Sequence, residues 1–248
     1  MSNAGQGYEE DELERLREAL EGEFEEFVSM AAHNLREPLR DVAAFSQLMA
    51  ETYAGRLDSE AGVFLGRIQE GAARMQSLLA DMVDYWATGT GGRQLSPTDM
   101  EAVLRQALLC ADKQIAEWSA IVTHDPLPAA AAGDFGVLTK VLHHLIRNAI
   151  EYCGTPSPRV HVSSRRVGLD WVFSVQDNGP GIAPAFHGRM FGAFKRLHGK
   201  EYPGNGLGLA FCKKAIEGLG GRMWLESTPG AGSTFYFSLA ASIADNLR

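Results

Sequence analysis

The stretch Phe27-Val-Ser-Met-Ala-Ala-His33-Asn-Leu-Arg-Glu-Pro-Leu39 lies inside a run from Glu9 to about Tyr53 that is rich in Glu, Leu, Arg and Ala and nearly free of breakers. Around it Leu13, Leu16, Leu20, Phe24, Phe27, Ala31 and Leu35 recur every three or four residues, which predicts one apolar stripe on a long helix. Tyr53-Ala-Gly-Arg-Leu-Asp-Ser59 interrupts the pattern, and Asp58 or Ser59 can cap a new helix. A second stripe through Phe64, Ile68, Met75, Leu78, Leu79, Met82 and Trp86 predicts that second helix, hence an all-α helical hairpin over residues 8–88. A lone hairpin cannot cover its own stripe. Two copies paired as a dimeric four-helix bundle can.

Within this hairpin His33 is two residues after Ala31 and two before Leu35. At about 100° per residue it stands roughly 200° from both, off the stripe. A solvated helix histidine is the plain reading. Two neighbours add chemistry to it. Pro38 removes one backbone bond and loosens the turn that contains Asn34. Glu37 is four residues on, on the same face, where a carboxylate can orient or deprotonate the imidazole. A neutral imidazole is a competent nucleophile toward a phosphoryl group.

Downstream, Thr88-Gly-Thr-Gly-Gly-Arg-Gln94 has the composition of a linker, assigned to residues 89–96. Pro97-Thr98-Asp99 then starts a helix with Val103, Ala107 and Ile115 in its apolar pattern. A further helix runs from about Asp134 to Cys153, with Phe135, Leu138, Leu142, Leu145 and Ala149 toward a core. From Arg159 the period falls to two. Trp171, Phe173 and Val175 alternate with Val172, Ser174 and Gln176, and Phe235, Phe237 and Leu239 do the same later. A glycine-rich region between Asp177 and Gly208 separates these strands and leads into a helix to about Leu219. Helices mixed with mostly antiparallel strands predict an α/β sandwich domain over residues 97–242.

Several polar residues of this second domain have chemistry suited to a nucleotide. His144, Asn148 and Tyr152 are spaced by four and share a helix face. Such a face is ordinarily just solvated, yet Asn148 offers a carbonyl oxygen suited to hydrated Mg²⁺ and Tyr152 a flat surface for a purine. Asp177 continues the odd-numbered apolar face of its strand, so its carboxylate points toward the core and must find a donor. An adenine amino group is one. Asp177-Asn-Gly179-Pro-Gly181-Ile182 is also good turn chemistry in its own right. Gly204-Asn-Gly206-Leu207-Gly208 opens a helix, where backbone N–H groups can hold phosphates. A dinucleotide fingerprint should sit early, in a parallel βαβ unit, whereas this run comes late and after a long polar loop.

Taken in order, these segments resemble the catalytic core of the sensor histidine kinases, closest to the phytochrome-like branch. Phe27 to Leu39 resembles the H-box, Leu145 to Tyr152 the N-box, and Asp177 to Ile182 the G1-box. Phe191-Gly-Ala-Phe-Lys195-Arg196-Leu-His198 resembles the F-box and lid, Gly204 to Gly208 the G2-box, and Gly230-Ala-Gly232-Ser-Thr-Phe235 a G3-like turn. The resemblance implies that His33 accepts phosphate, that Asn148 holds Mg²⁺, and that Tyr152 packs on the adenine of ATP. It implies that Asp177 reads adenine within the Gly179 and Gly181 turn. Lys195 or Arg196 approaches the γ-phosphate, and Gly204, Gly206, Leu207 and Gly208 hold the triphosphate. Three positions depart from the pattern. Asn34 stands where an acid usually follows the histidine as general base, leaving Glu37 to compensate in part. His144 replaces a common Asn, and Glu151 a common phosphate-contacting Lys.

The implied activity is ATP-dependent autophosphorylation of His33, followed by transfer to an aspartate of a response-regulator receiver domain. A catalytically weak nucleotide-binding scaffold or phosphorelay dimer is the alternative that the three departures motivate. The long first helix implies an upstream sensor domain and a homodimer through the hairpin.

Bulk properties are compatible with this. The chain of 248 residues is 45% hydrophobic and 22% charged, an ordinary globular balance. A net charge of −8 argues against a nucleic-acid binder, which shows a basic face. Cys110, Cys153 and Cys212 are far apart and lack metal-type spacing, as for free thiols in a reducing compartment. No apolar run approaches the roughly 20 residues that cross a bilayer, so a cytoplasmic location is expected.

Overall fold

Residues with few breakers and a repeating apolar spacing make one helix of 50 residues, α1 (Asn3–Thr52), that carries Pro38 in its interior. The structure, a computed structural model, describes residues 3–88, 95–128, 131–154, 157–195 and 205–241, and the side chains of these except for 3–11, 13–18 and 21. The chain divides into two units, residues 1–90 and 91–248.

In the first unit α1 turns through Tyr53–Leu57, with Gly55 at φ +77°, into α2 (Ser59–Trp86). Asp58 caps α2, its carboxylate accepting from the Ala61 amide at 2.7 Å. The seam between the two helices is built by Val28 and Ala32 of α1 and by Leu65 and Ala72 of α2, all buried. That seam is offset from the predicted stripe. Phe27 and Leu20 are 65% and 66% exposed, and Leu35, Phe64, Ile68 and Met75 are exposed with them. Phe24 lies in edge contact with Trp86, ring centroids 4.5 Å apart. A single hairpin needs only a narrow seam, so most of the large apolar residues stay outward.

The second unit begins with β1 (Ser96–Thr98), then α3 (Met100–Glu117), which Asp99 caps through the amides of Glu101 and Ala102. Pro97 and Thr98 are therefore strand residues and not the first helical turn expected of them. There follow β2 (Ile121–His124), β3 (Ala131–Gly133), α4 (Phe135–Glu151), β4 (Arg159–Val167) and β5 (Asp170–Asp177). The chain ends through α5 (Pro184–His187), α6 (Gly208–Gly218), β6 (Arg222–Ser227) and β7 (Ser233–Ala240). The main sheet runs β2-β4-β5-β7-β6, antiparallel except for the β2–β4 pair, and β1 pairs with β3 in a small separate ribbon.

Val160, Val162, Phe173, Val175, Met223, Phe235, Phe237 and Leu239 are buried on the face where α4 packs on β4 and β5 and α6 on β6 and β7. Phe173 and Phe237 are cross-strand partners stacked at 4.9 Å between centroids, and both are fully buried. Opposite them Leu138, Val141, Leu142, Leu145, Ile146 and Ile150 of α4 are fully buried, and α3 covers α4 from outside. Phe135, expected in this core, is exposed. It is the first residue of α4, directly after the capping Asp134. The result is an α/β sandwich following a helical hairpin. Residues 89–94 of the expected linker and residue 242 lie outside the described residues.

Candidate functional site

Asp177 is the last residue of β5, paired with Val160 on the buried face of the sheet. Its Oδ1 accepts two backbone hydrogen bonds, from Gly179 at 2.8 Å and from Ser233 at 3.0 Å. The Ser233 approach requires Gly232 at φ +84°, where a Cβ would stand 2.1 Å from the Asp177 carbonyl oxygen. Burial pushes the Asp177 carboxyl above its ordinary range, and the two amides oppose that rise. The second oxygen, Oδ2, has no hydrogen-bond partner among the described residues. Asn178 holds the turn open: its Oδ1 accepts from the Arg159 amide at 2.7 Å and from the Cys153 thiol at 3.0 Å.

A cleft opens in front of Asp177. Asn148 and Ala149 of α4 line it, with Tyr152 just past the end of that helix and Pro180, Gly181, Ile182, Phe186 and Met190. Lys195, Asn205, Gly206, Gly208 and Leu209 line it too, as do Arg147 and Arg189. Gly206, at φ +72°, accepts from the Phe194 amide at 2.9 Å, and a Cβ there would stand 2.9 Å from the Lys195 carbonyl oxygen. This contact ties Phe194 to the segment just before α6. Helix α6 has no side-chain cap, and its first intrahelical bond runs from Phe211 N–H to Leu207 at 2.8 Å. The amides of Gly208, Leu209 and Ala210 therefore have no intrahelical acceptor and suit an anion.

Of the residues expected at a nucleotide site, Asn148, Tyr152, Asp177, Gly181, Lys195, Gly206 and Gly208 line this one cleft. Gly179 acts through its amide on Asp177, and Leu207, the residue just before α6, is buried. Arg196 and Gly204 lie outside the described residues. The donor set fits Mg²⁺ bound mainly by phosphate oxygens, since Asn148 contributes an amide oxygen to the cleft.

His144 does not share the cleft face with Asn148 and Tyr152. It is 4% exposed, its ring 5.1 Å from that of Phe211, and Gly208 packs over it. Burial first, then the nearby Arg147 charge, pulls its pKa down to about 3. It is a neutral core residue between α4 and α6, so its departure from Asn changes packing beneath the cleft. Glu151 is paired with Arg147 at 3.9 Å.

Arg147, Arg189, Ser233 and Asn205 were not expected at the site. Arg147 carried one available signal, an opposite charge four residues on at Glu151. Ser233 carried none, because it acts through a backbone amide.

His33, Asn34 and Glu37 belong to the other unit, exposed along α1. Among the described residues His33 makes no hydrogen bond or ion pair, so its ring is open to an incoming group. Pro38 has no N–H to donate to the Asn34 carbonyl one turn back, so that carbonyl is released from the helix ladder.

Comparison with known proteins agrees with this division. Residues 25–86 match the His Kinase A (phospho-acceptor) domain, and residues 133–243 the histidine kinase-, DNA gyrase B- and HSP90-like ATPase. The chain is 41% identical over 233 residues to cyanobacterial phytochrome A of a Nostoc species, covering 92% of this chain and 30% of that protein. It is 40% identical to the phytochrome-like protein Cph1 of a Synechocystis species, covering 92% of this chain and 31% of the relative. The chain thus spans about a third of the length of the curated relatives it matches. Among solved structures it resembles full-length ShkA in complex with AMPPNP, with a TM-score of 0.68, 27% identity, and 88% of this chain and 46% of that one covered. Phospho-acceptor hairpin, ATPase-type sandwich and phytochrome relatives converge, and the chain belongs to the sensor histidine kinases, as a catalytic core of their phytochrome-like branch.

Proposed function

We propose that this chain is an ATP-dependent protein-histidine kinase that phosphorylates His33. The observation that carries the reading is the Asp177 carboxylate, held through Oδ1 by two backbone amides with Oδ2 left toward a cleft that ends at an uncapped helix. Oδ2 accepts from the exocyclic amine of adenine, Tyr152 packs on the ring, and the amides at the start of α6 take the phosphates. AMPPNP bound to the ShkA relative supports an ATP site. Asn148, which lines the cleft, would hold Mg²⁺ through its amide oxygen, and the ion would supply positive charge against the phosphates. Lys195 lies on the lid side of the same cleft and, with Arg196, neutralises the γ-phosphate.

In the transfer, a nitrogen of the His33 ring forms a P–N bond as the bond from the γ-phosphorus to the bridging oxygen breaks, with ADP leaving. The ring proton must go to a base. Asn34 has none to offer, so Glu37, one turn on, orients the ring and takes the proton. The phosphoryl group then passes to an aspartate carboxylate of a response-regulator receiver domain. Pairing of two hairpins covers Leu20, Phe27, Leu35 and Phe64, whose exposure in a single chain supports a homodimer.

Incubation with γ-labelled ATP and Mg²⁺ tests the reading. Acid-labile, base-stable label on wild type and none on a His33→Gln variant that still binds ATP is the expected result. Unlabelled wild type that binds ATP would support a second reading, a nucleotide-binding scaffold, which Asn34 and Glu151 favour.

A further inference from the structure

Arg147 has an arrangement that the contacts of the protein alone do not explain. It lines the nucleotide cleft next to Asn148, yet its Nε is buried and has no hydrogen-bond partner among the described residues. A buried guanidinium N–H without an acceptor is costly. The carboxylate paired with it, that of Glu151, stands 3.9 Å from Nε, beyond hydrogen-bond reach. The Arg147 charge is also felt nearby, since it helps to push the pKa values of both His143 and His144 down.

Its far end is placed just as unusually. Nη2 stands 3.7 Å from the position that a Cβ on Gly208 would take, and Gly208 is the first residue of α6. The start of a helix carries partial positive charge, so a guanidinium beside it is repelled unless an anion lies between them. The guanidinium and the free amides of α6 thus stand together in a cleft that Lys195 also lines.

We infer that Arg147 is a phosphate-binding residue of the nucleotide site, its guanidinium taking a non-bridging oxygen of the polyphosphate against the start of α6. The inference rests on the proposed nucleotide site and adds to it a residue and a charge. Glu151, four residues on along α4, then acts as a holder for the guanidinium. The positive charge that Glu151 lacks is supplied one turn earlier, on the same helix.

The test compares the affinities of ATP, ADP and adenosine for the full chain and for Arg147→Gln, by calorimetry in the presence of Mg²⁺. Loss of one charge-assisted hydrogen bond predicts Kd values for ATP and ADP raised about ten- to hundredfold, with adenosine changed less than about twofold. Should Arg147→Gln fail to fold, Arg147→Lys carries the test. It keeps the charge but lacks the planar fork, and ATP should weaken about threefold or more with adenosine unmoved. Equal weakening of all three ligands would mean a structural role and overturn the inference, as would unchanged ATP affinity. A wild type that binds none of the three would instead remove the nucleotide site itself, a failure separable from that of Arg147.

Discussion

Ser233 donates its backbone N–H to Oδ1 of Asp177 at 3.0 Å across 56 positions of chain, joining the first residue of β7 to the last of β5. Because Gly179 donates to the same oxygen, the carboxylate is held in one orientation before any ligand arrives. The two amides belong to the framework, and Oδ2 is the oxygen that the proposed nucleotide site leaves for adenine.

Asp177→Asn should therefore weaken ATP binding while leaving the fold in place. The amide oxygen can still accept from Gly179 and Ser233, but the position of Oδ2 becomes a donor facing a donor. A loss of about 1.5 to 3 kcal/mol, roughly ten- to hundredfold in Kd, is expected. Calorimetric titration with ATP and with adenosine measures it, and both ligands should weaken alike. Burial raises the pKa of this carboxyl, so on acidification ATP binding should fall off at a higher pH than an ordinary aspartate would give.

Asn34→Asp should speed autophosphorylation, because it supplies a base directly after the histidine. General-base catalysis contributes about 10² to 10⁴ in rate, and a partial gain of about tenfold or more is expected where Glu37 already serves. Glu37→Gln should slow labelling by a similar factor, and the double variant Asn34→Asp, Glu37→Gln should recover it. Initial rates of label incorporation at saturating ATP decide this.

His144 should make the second unit acid-sensitive. Its folded pKa, about 3, lies below the ordinary histidine value, so the unfolded chain binds a proton that the folded chain refuses. Stability should thus be full above about pH 6.5 and decline as pH falls toward 3, by about 2 kcal/mol at pH 5. Thermal melts of wild type and His144→Gln between pH 5 and pH 8 should show a shallower slope in the variant. The raised pKa of Asp177 works in the opposite sense at the acid end and limits the total change.

Phe27→Glu should break the proposed homodimer and leave monomer. Phe27 is 65% exposed in the single chain, so the substitution costs little within the hairpin and places a charge in the bundle interface. Light scattering of wild type and variant reads the change directly. Phe173→Ala, in contrast, should lower Tm without altering the oligomer, since a buried Phe truncation costs about 3 to 5 kcal/mol.

Much of the architecture was legible in the sequence because it follows from local periodicity. The spacing through Leu20, Phe24 and Phe27 marks a helix whichever neighbour it meets, and the alternation in Phe173–Val175 and Phe235–Leu239 marks strands with one buried face. The parity of Asp177 placed a carboxylate at the end of that face, where the structure has it. Less legible were the short strands β1, β2 and β3, three or four residues each, which exist only through their pairing partners.

Taken by itself, the sequence determined a hairpin with His33 off its apolar stripe, a sandwich behind it, and glycine loops at two turns, because helix period, strand alternation and glycine chemistry act within a few residues. Only the tertiary structure decided the surroundings of each side chain. His144 and Asn148 are one turn apart on α4, yet α6 packs over the first and the cleft opens on the second. Arg147 enters that cleft, and the Ser233 amide fixes Asp177, through contacts between segments distant in the chain. No local pattern encodes them, since a backbone amide has no side-chain signature and a helix face is assigned only when its packing partner is in place.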